Sequence, residues 1–213
     1  MPTKIQLNHQ LIYSYSNPVT LGPHTLRLRP SPYNRTPIHS YNLKIEPQEH
    51  SLNWYRDNHG NLFGRLNFPN KTEKLQAEIN LIAELKPINA FDFLVEAYAS
   101  TYPFNYETQL AKELTPYLEI SESPELLLNW VENNRQSSVY TPNLLTEINQ
   151  KLAAEITHLI RLEEGVQTCE ETLTKKEGSC RDTAWLLVQI LRHYGLAARF
   201  VSGYLIQLKP DVP

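Results

Sequence analysis

The feature that most constrains this chain is a cysteine at the head of a helix, in Gly178-Ser179-Cys180-Arg181-Asp182. Ser179 is a good N-cap and Asp182 stands three positions on as the acidic partner of a capping box. Ala184, Leu187, Val188 and Leu191 then recur at helical spacing, with Trp185 and Ile190 widening the apolar face. Gly195 stops the pattern after Arg192 and His193. Cys180 is therefore expected in the first helical turn. Unpaired N–H groups and the positive end of the helix dipole favour a thiolate there and make a usable nucleophile. The run from Leu196 to Leu208 that follows is rich in β-branched and aromatic residues and reads as a strand.

Gly178-Ser179-Cys180-Arg181-Asp182, followed by Gly195-Leu196-Ala197-Ala198-Arg199 and Val201-Ser202-Gly203-Tyr204, resembles the cysteine half of the bacterial transglutaminase-like domain, a papain-like cysteine enzyme family. An N-terminal stretch, Tyr13 to Val19 with Leu21 to Pro30, resembles the β-rich region that precedes this domain in bacterial members. The resemblance covers nearly the whole chain. It implies a Cys-His-Asp triad in which the histidine and aspartate come after the cysteine on β-strands. The one histidine after Cys180 is His193, thirteen residues along the same helix. At about 1.5 Å per residue it stands roughly 20 Å away, so it is not the base. His9, His24, His39, His50, His59 and His158 all precede the cysteine. The expectation is a fragment, truncated before the family's His and Asp, with Cys180 as its one catalytic residue.

The expected fold class is α+β, with a β-rich domain over residues 1–88 and the incomplete, helical first half of a transglutaminase-like core over 89–213. In the first part, Thr25 to Arg29 alternates as a strand, and Leu52 to Arg56, Asp57 to Asn61 and Leu62 to Phe68 form a hairpin. Leu75 to Leu85 fits both a helix and a strand period, and the resemblance favours strand. Pro87 marks the junction. Helices are expected from Tyr106 to Leu114, from Pro124 with Ser123 as cap, and from Thr141-Pro142 onward to a stop at Gly165. Thr168 and Glu171 form a second capping box, in a short helix ended by Gly178.

Of 213 residues, 41% are hydrophobic and 20% charged, the composition of a folded globular protein. A net charge of −3 provides no basic field, so no nucleic-acid partner is expected. No run reaches the roughly 20 apolar residues of a membrane span and no signal-peptide core opens the chain, which points to a cytoplasmic protein without a membrane partner. Cys169 and Cys180 fit a reducing compartment and lack the partners of a zinc site. Cys169 reads as structural, Asp182 as a helix-start stabiliser rather than the triad acid, and Arg181 as a solvated or ion-paired arginine. His158 reads as a surface residue on the polar side of the long helix, and Trp185 and Tyr204 as core aromatics.

The resemblance implies a cysteine-dependent acyl-transfer enzyme, a protease or amidase or a transglutaminase-like transferase. It would work through a thioester on a protein or peptide substrate and require no cofactor. Without its base this fragment would be inactive, its partners being C-terminal domains of the same parent chain. The alternative is a non-catalytic scaffold or interaction module of a larger multidomain protein.

Overall fold

Leu75, Ala77, Ile79, Leu81 and Ala83 are buried and the residues between them are not, so the stretch that fitted two periods is a strand with one face inward. The computed structural model describes residues 2–87, 89 and 92–206. Two units follow one another along the chain, Met1–Phe93 and Leu94–Pro213. The first is β-rich and the second largely helical, which is the α+β class expected.

In the first unit the strands are β1 (Thr3–Val19), β2 (His24–Leu26), β3 (Ile38–Glu46), β4 (Ser51–Arg56), β5 (Leu62–Asn67) and β6 (Thr72–Leu85). They form two antiparallel three-stranded sheets, ordered β1-β6-β3 and β2-β5-β4. Ile45, Leu75 and Ala77 of one sheet share a buried cluster with Leu26 and Leu66 of the other. The expected hairpin is β4–β5. Its turn is held by the Asp57 carboxylate, which accepts the N–H groups of His59 and Asn61, and Gly60 supplies the positive φ of 79°. The strand expected over Thr25 to Arg29 is shorter, because β2 leaves its partner β5 after Leu26.

The second unit runs β7 (Thr101–Tyr102), α1 (Thr108–Glu113), α2 (Thr115–Leu118), α3 (Glu125–Asn133), β8 (Val139–Tyr140), α4 (Thr141–Glu155), β9 (Thr157–His158), α5 (Cys169–Lys175), β10 (Glu177–Gly178) and α6 (Cys180–His193). Its core joins Leu127 and Val131 of α3, Leu144, Ile148 and Leu152 of α4, Cys169 of α5, and Leu186 and Ile190 of α6.

Four expectations change here. The third helix begins one residue later than expected, with Pro124 itself as the N-cap. The long helix stops at Glu155, not Gly165, because the N–H groups of Thr157 and Leu159 turn away to the carbonyls of Lys176 and Gly178. A two-residue parallel ladder between β9 and β10 replaces the last turns of helix. Gly178 lies in that ladder, and the short helix ends instead at Lys176 in a left-handed conformation. Residues 196–206 form no strand, and Gln207 and Leu208 lie outside the described residues. A strand needs a ladder partner. Here the Ala197 N–H goes to the Tyr106 hydroxyl, the Ala198 N–H to the Tyr117 carbonyl, and the Ala198 carbonyl to the Arg192 guanidinium.

Leu144 is wholly buried where α4 meets the core. Leu144→Ala is expected to destabilise the second unit by about 2–5 kcal/mol through lost burial and a residual cavity. Urea unfolding in a Trp54→Phe background checks this, with Trp130 and Trp185 as probes; an unchanged midpoint would show that the site is not packed as described.

Candidate functional site

Cys180 is the first residue of α6 and is exposed. The leading N–H groups of a helix have no intrahelical acceptor, so the amides of Cys180 and Arg181 head the helix as free donors beside the thiol. The thiol itself makes no hydrogen bond with a described residue. Cys180 opens onto a cavity of about 500 Å3 between α4 and α6, with Leu152, Ala153, Ile156, Ala184 and Leu187 as apolar wall and His158 and Thr183 among its polar lining.

The position of this helix start rests on Asp182, whose side chain is fully buried. Its Oδ2 accepts the Arg161 Nε at 2.9 Å and both the N–H and the hydroxyl of Ser179, at 2.8 and 2.7 Å. Its Oδ1 accepts a terminal Arg161 nitrogen at 3.0 Å and the Gln167 N–H at 2.8 Å. The capping-box reading of Ser179 and Asp182 therefore holds, but it is one part of a larger network. Arg181, expected in solvent or an ion pair, donates instead to the carbonyls of Arg161 and Glu163. Arg161 also reaches the Gly165 carbonyl, where a φ of 75° turns the loop. The segment from β9 to α5 is thus buckled onto the start of α6. Gly178 permits the approach, since a Cβ there would lie 3.0 Å from the Asp182 Cβ.

Burial by itself raises the pKa of the Asp182 carboxyl, but the Arg161 guanidinium, with the Gln167 and Ser179 donors, outweighs it and holds the group well below the usual carboxylate range. Asp182 is an anchor and not a proton carrier at neutral pH.

Cys169 has the opposite surroundings. It is fully buried at the head of α5, and its N–H donates to Glu122 at 2.7 Å. Burial, then the Glu122 charge, pushes its thiol far above the ordinary range, which makes it a poor nucleophile. The second oxygen of Glu122 takes the Trp185 indole N–H, and the Glu122 carbonyl meets the His193 ring at 2.9 Å. Trp185 accordingly packs against the core, whereas Tyr204 is 45% exposed and not a core residue.

His158 is the position that the sequence misplaced. It lies on β9 opposite Gly178, not on the polar side of a helix, and it lines the Cys180 cavity. The signal available was the β-branched Ile156-Thr157 pair just ahead of it, unfavourable in a helix interior. Arg161 and Glu122 carried no comparable signal, because their partners lie 21 and 47 or more residues away. Among the described residues no group of three or more His, Cys, Asp or Glu side chains could hold a metal ion, and no helix is long and apolar enough to cross a membrane.

A depressed folded-state pKa gives Asp182 a stabilising contribution that is complete above the unfolded value near ~3.9 and is lost as pH falls from there toward the folded value. Asp182→Asn is expected to cost on the order of 3 kcal/mol at pH 7, leaving Arg161 without its counter-charge. It should also flatten the acid dependence of stability below about pH 4. Denaturant titrations of both chains across that range check this, and parallel acid profiles would rule the anchor out.

Residues 5–84 match the family model of the bacterial transglutaminase-like N-terminal region, and residues 133–210 match that of the transglutaminase-like superfamily. Uncharacterized proteins of Mycobacterium tuberculosis and Mycobacterium bovis are each 25% identical to the chain over 210 residues, 95% of its length. The chain spans 66% of the length of these relatives, just under two thirds. The crystal structure of a protein described as a "putative cysteine protease", from Cytophaga hutchinsonii, is similar with a TM-score of 0.61 at 13% identity, covering 92% of this chain and 66% of that one. That likeness bears on the fold. The chain is thus similar in its first region to the bacterial transglutaminase-like N-terminal region and in its last to the transglutaminase-like superfamily, each match covering less than half of it.

Proposed function

We propose that the protein is a cysteine-dependent acyl-transfer enzyme, a protease or amidase or a transglutaminase-like transferase, with Cys180 as nucleophile and a protein or peptide amide as substrate. The observation that carries this reading is the exposed Cys180 thiol at the head of α6, open to a cavity and beside free helix-start amides. In this chemistry the thiolate sulfur bonds to the amide carbonyl carbon and the carbonyl π pair moves to oxygen. Collapse of that intermediate breaks the C–N bond, the amine leaves with a proton, and a thioester remains. Water or an amine then attacks the thioester and regenerates the thiol. On this reading the N–H of Cys180, unpaired at the head of α6, stabilises the oxyanion in both halves.

The base that takes the thiol proton belongs, on this reading, to a histidine and an aspartate of further chain, in the order that the family resemblance implies. No described imidazole is hydrogen-bonded to the sulfur, and a general base works only within hydrogen-bond reach. The chain of residues 1–213 should therefore form a thioester with an activated acyl donor but show no amide turnover. A partner region of the same parent protein would supply the rest.

Treatment of the chain with an activated ester, followed by peptide mass analysis, is expected to find the acyl group on Cys180 and none on Cys169. Cys180→Ala should abolish the thiol adduct. Acylation confined to Cys169, or amide hydrolysis by residues 1–213 that persists in Cys180→Ala, would overturn the proposal.

A further inference from the structure

The acids carried by strands of the first unit, Glu46, Glu73, Glu78 and Glu84, all lie on the β1-β6-β3 sheet. There Glu46 meets Lys44 and Lys74, and Glu84 meets His39 and Lys86. The β2-β5-β4 sheet carries no acid on its strands, yet two arginines stand on its outward face. Thr25 and Arg27 flank the buried Leu26, Phe63 and Arg65 flank the buried Gly64, and Asn53 and Tyr55 flank the half-buried Trp54. Alternate residues of a strand share a face. The register lines Thr25, Arg65 and Asn53 into one row across the three strands and sets Tyr55 against Phe63 in the next. Arg27 extends that second row just past the end of β2, its guanidinium carbon 6.0 Å from the centroid of the Phe63 ring.

The Tyr55 and Phe63 rings stack at 5.6 Å with 20° between their planes, so Phe63 has Tyr55 as one neighbour and Arg27 as another. A guanidinium held over a ring is fixed without using its N–H donors, which stay open to a planar carboxylate. Neither Arg27 nor Arg65 has a carboxylate partner among the described residues. Asp57, two residues after Tyr55, is occupied in the β4–β5 turn by the N–H groups of His59 and Asn61.

Arg65 lies two residues along β5 from Phe63, so Arg27 and Arg65 are diagonal neighbours, about 7–8 Å apart. Side chains two residues apart on an extended chain share one face at a spacing of about 6.5–7 Å. Carboxylates at that interval match the two arginines. A polyphosphate fits less well. Residues 1–93 hold ten lysines and arginines against seven acids, but the whole chain is at −3, which makes a local basic patch and no extended basic field.

We infer that the outward face of the β2-β5-β4 sheet docks an extended acidic segment of a partner polypeptide, with carboxylates two residues apart meeting Arg27 and Arg65. The surface lies in the first unit and its role does not depend on the chemistry of Cys180.

The test is fluorescence anisotropy with the chain of residues 1–213 and three labelled probes at about 50 mM salt, where surface charges are only partly screened. The probes are a decapeptide of alternating glutamate and threonine, the same peptide with glutamine for glutamate, and a ten-residue oligothymidylate. The glutamate peptide is expected to bind at least tenfold more tightly than either of the others. Arg65→Gln and Arg27→Gln should each weaken it roughly 3- to 10-fold, as loss of a bidentate but exposed pair does. Lys4→Gln, which removes an exposed charge from β1, should leave binding within about twofold. Thermal unfolding of each variant checks the fold, and Arg65→Gln carries the test if Arg27→Gln loosens the ring stack. Equal binding of the glutamate and glutamine peptides would overturn the inference. So would a loss in Lys4→Gln as large as that in Arg65→Gln, which would mean a diffuse field in place of a site. Tighter binding of the oligothymidylate would give the face to nucleic acid and sink the polypeptide assignment.

Discussion

A carboxylate with no exposure to solvent holds the whole candidate site in place. Asp182 gathers five donors from Arg161, Gln167 and Ser179, and each comes from a different part of the turn between α4 and α6. An ionised group removed from water is costly unless its lone pairs are filled, and here they are. The same bonds decide where Cys180 stands. Ser179 is the residue immediately before Cys180, and both its amide and its hydroxyl donate to Asp182. The helix start therefore cannot shift without breaking a charged network.

The helix start was legible because its signals are local. A cap, an acid three positions later, an apolar face and a terminal glycine lie within seventeen residues, and each was found where expected. The Thr168–Glu171 box was local in the same sense. What the sequence hid was decided by partners far along the chain. Ile156, Leu159 and Ile160 continue the helical period of α4, yet the ladder with residues 177–178 takes the backbone away from it. Ile156 is still buried, so periodicity reported the apolar demand correctly but not the backbone that meets it. The run after Gly195 shows the converse. Its β-branched and aromatic content suits a strand, but its described residues have no ladder partner, and side chains and loops satisfy Ala197 and Ala198 instead.

The two cysteines show how little residue type decides. Both open a helix, both follow a hydroxyl cap, and both sit two residues ahead of the capping acid. Cys169 is sealed into the core beside Glu122, where a negative neighbour and burial both disfavour a thiolate. Cys180 faces a cavity. The difference lies in which face of each short segment the core claims, and it is set by α3, α4 and α6 packing together, not by the few residues around either thiol.

Helical geometry also limits who can assist Cys180. On its own helix the neighbouring side chains one turn on are Thr183 and Ala184, and neither can exchange a proton at neutral pH. His193 rises with the helix axis to the opposite end and is occupied there by the Glu122 carbonyl. Any imidazole that serves the sulfur or its acyl group must therefore arrive on another element. The β9–β10 ladder is the element the described residues bring to that end of α6: with two residues of strand in place of helix, His158 stays exposed and lines the cavity onto which Cys180 opens.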